Sequence, residues 1–177
     1  MPATGYGAPV TDRRLVLLRH AKAEKFGATD AQRVLAPRGR QDAAAAGRWL
    51  AAQGFVPDLA VVSPTSRAGE TWALAATELS TKPSVTIDER VYANSVRQLL
   101  AIVAETVDDV GTLALIGHNP SIGQLAFSLD DGSGDPAVRE ELAQGYPTAA
   151  VSVFALPDWT AGSGALLAYT IPRGSAR

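Results

Sequence analysis

Residues 15–20 read LVLLRH, a run of four apolar residues that ends in the adjacent pair Arg19 and His20. A second run has the same form, because residues 113–118 read LALIGH and end in His118. Short apolar runs that are followed by helical patterns are typical of buried parallel strands. In open α/β sheets, ligands bind beyond the carboxyl ends of such strands. The chain has two histidines in all, and we expect both of them in one active site.

A third segment predicts an arginine at the same edge of the sheet. Residues 59–71 read LAVVSPTSRAGET, in which Ser63 can cap the following helix and Pro64 suits its first turn. Arg67 would then lie near a helix N-terminus, which favours anions through its free N–H groups and its dipole. Guanidinium groups bind phosphoryl oxygens bidentately, and a histidine can act as a nucleophile. Two arginines and two histidines at one edge therefore suit the transfer of a phosphoryl group.

The remaining sequence alternates between strand and helix patterns. We predict helices at residues 37–53, 65–79, 96–107 and 120–129, and strands at 59–62, 84–87, 148–155 and 165–171. Residues 21–36 are polar and irregular, and we expect them to form a loop beside the nucleophile. The pattern predicts an α/β fold, a three-layer sandwich with a mostly parallel central sheet flanked by helices. A C-terminal antiparallel strand pair completes it, with no large cap insertion.

Composition narrows the class of protein. The 177 residues are expected to form a single domain, with flexible termini at about 1–12 and 174–177. The net charge is −2, which favours neither a nucleic acid nor an acidic membrane as partner. The sequence contains no cysteine, which excludes disulfides and thiol catalysis. We find no signal-peptide pattern and no apolar run near the roughly 20 residues that span a bilayer, so we expect a cytoplasmic protein.

Three segments resemble signature segments of the histidine phosphatase (phosphoglycerate-mutase-like) superfamily. They are LRHA at 18–21, SPTSRAGET at 63–71 and GHNPS at 117–121. The resemblance extends from about residue 15 to about residue 171, and the short chain is most similar to the SixA-type phosphohistidine phosphatases. The stretch after the nucleophile also matches the family, at Arg33, Leu35 and Gly39. The chain departs from the family at Ala21, where glycine is frequent, and Asn119 argues against the acid phosphatase branch, which usually has aspartate there.

This resemblance implies a role for each core residue. His20 would be the nucleophile, a neutral imidazole whose other nitrogen donates to a backbone carbonyl. Arg19 and Arg67 would hold the non-bridging oxygens, and His118 would hydrogen-bond the same group as an imidazolium. The resemblance therefore implies a metal-independent phosphatase that forms a covalent phosphohistidine intermediate, and we expect neither a metal nor a cofactor.

Three further residues are candidates for the site. Glu89 is the candidate general acid, although the adjacent Asp88 leaves that assignment open. Arg33 could contact the substrate from the loop after the nucleophile, or could be a surface charge. Asn119 could bind the substrate or cap a helix.

The substrate remains open at this point. A short chain without a cap favours a shallow site and a phosphorylated protein, above all one that carries phosphohistidine. A small phosphomonoester is the alternative, and a mutase is disfavoured because it needs a closed site. A non-catalytic phosphate-binding module is a further alternative. The sequence leaves the oligomeric state undecided.

Overall fold

The computed structural model describes residues 13–175. The strands and helices of this part alternate through most of its length. In chain order they are β1 (Arg13–Arg19), α1 (Pro37–Gln53), β2 (Leu59–Val62), α2 (Ser66–Ala76), β3 (Ser84–Ile87), α3 (Glu89–Tyr92), α4 (Val96–Ala104), β4 (Thr112–Gly117), α5 (Ser121–Leu129), α6 (Pro136–Ala143), β5 (Val151–Leu156) and β6 (Ala165–Thr170).

The strands form one six-stranded sheet in the order β3-β2-β4-β1-β5-β6. β1 and β2 both run parallel to β4, and β3 runs parallel to β2. β5 runs antiparallel to β1, and β6 runs antiparallel to β5. The predicted mostly parallel sheet with a C-terminal antiparallel pair is therefore confirmed. In β1, Arg19 is paired with Gly117 of β4, which places the residues after both strands side by side.

Helices cover both faces of this sheet. Leu15 and Leu17 of β1 belong to a core cluster that also contains buried residues of α4, α5 and α6. Val16 and Leu18, which alternate with them, belong to a second cluster with residues of α1 and α2. Because successive strand residues point to opposite faces, the uniformly apolar run of β1 fits a strand buried on both sides. The three-layer arrangement predicted from the sequence is thus confirmed.

Several boundaries differ from the prediction. The helix predicted to reach residue 79 ends at Ala76, and the one predicted to reach 107 ends at Ala104. The sequence analysis also missed α3 and α6. In α6, Asp135 caps the N-terminus through its side chain, but Leu142 is the only residue of the helix that is buried, so the apolar pattern is too sparse to detect. None of the described helices is long and apolar enough to cross a bilayer.

The segment after β6 packs against α1 as far as Gly174, one residue into the predicted flexible end. Gly174, which we had assigned to a flexible end, is buried and donates its N–H to Asp42 at 3.0 Å. Arg173 also donates to the carboxylate of Asp42, which is itself buried. A buried carboxylate needs such partners, and these bonds hold the segment after β6 against α1. Our expectation for residues 1–12, 176 and 177 lies outside the described residues.

Gly39→Ala is expected to destabilise the protein, whereas Gly69→Ala is expected to stabilise it. A Cβ atom at Gly39 would collide with the backbone carbonyl of Lys22, just past the candidate nucleophile, whereas Gly69 in α2 faces open space. Urea unfolding should show a loss of about 1–3 kcal/mol for the first substitution. For the second it should show a gain of about 0.5–1 kcal/mol, since alanine is the better helix former. Similar effects at both positions would contradict the close packing of α1 on this segment.

Candidate active site

The two histidines meet at the carboxyl edge of the sheet. His20 follows β1 and donates its backbone N–H to the carbonyl of Gly117 at 3.0 Å, and His118 follows β4. The centroids of the two imidazole rings are 5.1 Å apart. Arg67 lies in the first turn of α2, which follows the neighbouring strand β2. The structure therefore brings together residues that are far apart in the sequence, as predicted.

The imidazole of His20 is neutral and oriented. Its Nδ1 lies 2.8 Å from the backbone carbonyl of Ala21, so this nitrogen carries the proton and Nε2 keeps a free lone pair. Burial lowers the pKa of His20 to about 4, and the positive charges of Arg67 and Arg19 act in the same direction. Ala21 is itself held in place, because its N–H donates to the hydroxyl of Thr71 at 3.0 Å.

His118 differs from the prediction in its charge. Its Nε2 lies 2.7 Å from the hydroxyl of Ser63 and 3.4 Å from that of Thr65. Burial, and after it the nearby His20 and Arg67, lower the pKa of His118 to about 3. The predicted imidazolium is therefore wrong for the free protein, because a buried site that already contains arginines disfavours another positive charge.

Ser63 was predicted to cap α2, and the structure gives it another role. The N-cap position belongs to Thr65, which makes no side-chain cap bond, while the hydroxyl of Ser63 contacts His118. Sequence reasoning missed this contact because a serine before a helix suggests capping first.

Both predicted arginines are anchored through their terminal nitrogens. Nη1 of Arg19 donates to the carbonyl of Tyr146 at 3.0 Å. In Arg67, which is only 4% exposed, Nη1 and Nη2 both donate to Asp30. Among residues 13–175, the Nε atoms of Arg19 and Arg67 and the Nδ1 of His118 are buried without a hydrogen-bond partner. The two guanidinium Nε–H groups are donors, and buried donors are costly unless something accepts from them, which an anion would do.

Sequence reasoning missed Asp30 and Tyr92. The carboxylate of Asp30 accepts hydrogen bonds from Tyr92, Arg67 and Arg33, which lower its pKa to about 2. The ring of Tyr92 lies edge-on to His118, with the centroids 5.7 Å apart. The three-residue spacing of Asp30 and Arg33 is visible in the sequence, but nothing there connects Asp30 with partners 37 and 62 residues away.

The two acidic candidates lie near the start of α3 and differ in their contacts. Asp88 caps this helix and is bound by the backbone and the guanidinium of Arg90, which lowers its pKa. A carboxylate held in this way is a poor proton donor. Glu89 is exposed, and within the described residues no hydrogen bond or ion pair involves its carboxylate. Of the two carboxylates, that of Glu89 is the one free of such bonds among the described residues.

Arg33 and Asn119 are both engaged by other groups. Arg33 binds the carboxylate of Asp30 and donates to the carbonyl of Glu24 at 3.1 Å. Nδ2 of Asn119 donates to the carbonyl of Tyr146 at 2.8 Å, the same atom that Arg19 binds. The side-chain oxygen of Asn119 accepts from a backbone N–H in the first turn of α5, as a capping residue does.

A groove lies beside Arg19 and Asn119. Its volume is about 680 Å³, and it lies between the end of α6 and the end of β6. The lining residues mix aromatic, polar and acidic side chains: Arg19, Asn119, Glu141, Gln144, Gly145, Tyr146, Pro147, Tyr169, Thr170 and Ile171. Such a groove can accommodate the part of a substrate that surrounds the reacting group.

Comparison with known proteins finds the same fold and the same family. Residues 15–92 match the histidine phosphatase superfamily (branch 1). An uncharacterized protein of Mycobacterium tuberculosis is 33% identical over 162 residues, which cover 88% of this chain and 100% of that protein. A structure assigned as a phosphohistidine phosphatase SixA from Nakamurella multipartitia superposes with a TM-score of 0.75 at 30% identity, covering 90% of this chain and 96% of that one. The protein histidine phosphatase SixA complexed with tungstate gives 0.75 at 24% identity, with 90% and 97% covered.

Neither histidine is expected to titrate between about pH 5 and 8, the range in which an unperturbed imidazole changes charge. The pKa values of about 4 for His20 and about 3 for His118 leave both rings neutral throughout this range. NMR of the ring protons tests this directly, because the chain has only two histidines to assign. An inflection near pH 6.5 in either ring would contradict the burial of the site.

The same shifts predict how stability depends on pH. Both histidines bind protons less readily in the folded than in the unfolded protein, whose imidazoles titrate near 6.5. The free energy of unfolding should therefore be constant above about pH 7 and fall as the pH drops from about 6.5 towards 4.

Proposed function

The chain belongs to the histidine phosphatase superfamily, branch 1, and is of the SixA type, and from this membership we propose that it hydrolyses phosphorylated substrates through a covalent phosphohistidine at His20. The chain is a phosphatase, and the proposal concerns its mechanism and its substrate. The observation that carries the mechanism is the state of His20. The ring is neutral, its Nδ1 proton is bound by the carbonyl of Ala21, and Nε2 has a free lone pair beside buried arginines.

The proposed reaction has two displacements at phosphorus. In the first, the lone pair on Nε2 of His20 forms a bond to phosphorus while the bond to the leaving group breaks, and the leaving group takes its electron pair and a proton from Glu89 or from water. In the second, water attacks phosphorus and the N–P electron pair returns to Nε2, which releases inorganic phosphate. The carbonyl of Ala21 accepts from Nδ1 throughout and stabilises the positive charge of the phosphorylated ring.

Arg19 and Arg67 would stabilise the charge on the non-bridging oxygens. Phosphoryl transfer depends mainly on positioning and on electrostatic stabilisation of these oxygens. The unpartnered Nε donors of both arginines support a bound anion at this place. No step of this mechanism requires a metal ion, because the cationic side chains supply the positive charge.

We propose a protein that carries phosphohistidine as the substrate. The similarity to SixA-type phosphohistidine phosphatases supports it. The groove beside Arg19 also supports it, because it offers space for residues that flank the phosphorylated side chain. A small phosphomonoester is the second candidate, and the free carboxylate of Glu89 favours it, since an alkoxide leaving group needs a proton donor more than an imidazole does.

The test is hydrolysis in excess EDTA of two substrates, p-nitrophenyl phosphate and a histidine-phosphorylated protein domain. We expect turnover of both, with the higher kcat/KM for the phosphohistidine substrate. A higher value for p-nitrophenyl phosphate would favour the phosphomonoester candidate. Inorganic phosphate binding without turnover of either substrate would indicate a non-catalytic module.

Glu89→Gln is expected to affect phosphoesters according to their leaving groups. Hydrolysis of an alkyl phosphate should slow by roughly 100-fold, within the usual range for a general acid, because the poor leaving group needs the proton. Hydrolysis of phosphohistidine should change little, since imidazole leaves more readily. Steady-state kinetics on both substrates measures the difference. The control is Glu78→Gln, because Glu78 lies just after the C-terminus of α2 and pairs with Arg48. Equal rates for wild type and Glu89→Gln on the alkyl phosphate would exclude Glu89 as the acid.

A further inference from the structure

We propose that Asp30 is a positioning residue for phosphoryl transfer, which holds the guanidinium of Arg67 in the orientation that binds the phosphoryl group. The inference rests on the proposed function, because it assumes that Arg67 binds the substrate. Asp30 lies in the loop between β1 and α1, 37 residues before Arg67 in the chain. The contact between Asp30 and Arg67 is therefore a tertiary one, and it joins the segment after the nucleophile to the helix that carries the arginine.

The contact fixes the plane of the guanidinium. Nη1 of Arg67 donates to the backbone carbonyl of Asp30 at 2.6 Å, and Nη2 donates to its carboxylate at 3.0 Å. Two donors bound to two different acceptors of one residue prevent both translation and rotation of the group. The Nε atom takes no part in this contact and is buried without a partner among the described residues. The orientation of Arg67 is thus set from one edge while a donor on the other edge stays available for an anion.

Two further contacts hold the carboxylate of Asp30, and a third holds the next residue. Arg33 binds Oδ1 through Nε at 3.1 Å, and the hydroxyl of Tyr92 donates to Oδ2 at 2.9 Å. The carbonyl of the next residue, Ala31, accepts from the N–H of Ser66 at the start of α2 at 2.9 Å. The loop is therefore tied to the same helix turn that carries Arg67, so the carboxylate can act as a fixed anchor.

The charges of this group suit an anion-binding role and exclude an acid role. Hydrogen bonds from Tyr92 and Arg67 lower the pKa of Asp30 to about 2, so it stays ionised and cannot donate a proton to a leaving group. Arg33 offsets the negative charge of the carboxylate through an ion pair at 3.0 Å. The three side chains together keep one net positive charge next to His20, which attracts a phosphoryl group.

The test compares Asp30→Asn with Asp158→Asn, the same chemical change in the turn between β5 and β6. In Asp30→Asn we expect kcat/KM to fall by roughly 10- to 100-fold, as is typical when a substrate-binding group loses its support. We also expect a larger dissociation constant for inorganic phosphate, measured by NMR from the ring signals of the two histidines. Asp30→Glu should recover part of the loss because it retains the charge. Asp158→Asn should match the wild type, and thermal unfolding should show that all three variants are folded.

A double-mutant cycle shows whether Asp30 acts through Arg67. In an Arg67→Ala background, Asp30→Asn should leave the phosphate dissociation constant unchanged within about twofold, because the group that it positions is gone. If Asp30→Asn weakens phosphate binding in the Arg67→Ala background as much as it does in the wild type, the inference is overturned. It is also overturned if the single Asp30→Asn variant keeps wild-type kcat/KM and phosphate binding while Arg67→Ala loses them. The last result would leave the proposed function standing. Absence of turnover in the wild type would instead contradict the proposed function and this inference together.

Discussion

His20→Ala is expected to lower kcat for p-nitrophenyl phosphate by more than about 10⁴-fold, the scale of loss when a covalent nucleophile is removed. The reason is that the substitution deletes the Nε2 lone pair that forms the bond to phosphorus. The other histidine cannot replace it, because Nε2 of His118 is bound to the hydroxyl of Ser63 at 2.7 Å and its Nδ1 is buried. Initial rates in excess EDTA, at substrate concentrations above KM, measure the effect.

The same variant should remain folded. Alanine at position 20 removes a partly desolvated neutral ring and one hydrogen bond to the adjacent carbonyl, so the sheet around it is retained. Circular dichroism and a urea transition provide this control. Equal turnover in His20→Ala and in the wild type would show that phosphoryl transfer does not pass through this residue.

Arg67→Ala is expected to reduce kcat/KM by roughly 100- to 1,000-fold, the range found when a donor to a developing anion is removed. The residue is 4% exposed, and its Nε is buried without a partner among the described residues, so water cannot easily replace it. Arg67→Lys should recover only a small part, because an ammonium group retains the charge but loses the planar fork. Michaelis–Menten analysis of both variants measures this difference.

The matched control is Arg48→Ala. Arg48 is half-exposed on α1 and pairs with Glu78, so its loss should change kcat/KM by less than about twofold. If Arg48→Ala and Arg67→Ala lower kcat/KM by similar factors, the effect at position 67 comes from the loss of a positive charge anywhere on the protein and not from a contact with the substrate. Full activity of Arg67→Lys would show that charge alone is sufficient there.

Much of the fold and the centre of the site could be predicted because the signals are local. The apolar run of residues 15–18 is short and uninterrupted, as is typical of a strand buried on both faces. The run before His118 behaves in the same way, and all six residues of β4 are buried. Since both strands lie in the parallel part of the sheet, their carboxyl ends meet at one edge, and the histidines meet with them.

The details that escaped prediction depend on contacts between distant segments. The link from Asp30 to Arg67 exists only because the loop after β1 folds over α2. The charge of His118 also could not be read from its neighbours in the sequence, because burial and the approach of His20 determine it. α6 was missed because a helix with a single buried residue has almost no apolar periodicity.

The most direct test of the account is to trap the covalent intermediate. The protein is mixed with a ³²P-labelled phosphohistidine protein in excess EDTA, quenched with alkali within the first turnovers and digested for peptide mapping. The account predicts an acid-labile, alkali-stable label on the peptide that contains His20, and no label in His20→Ala. Rapid turnover without any labelled enzyme, or a label on a different residue, would contradict a phosphohistidine mechanism at His20.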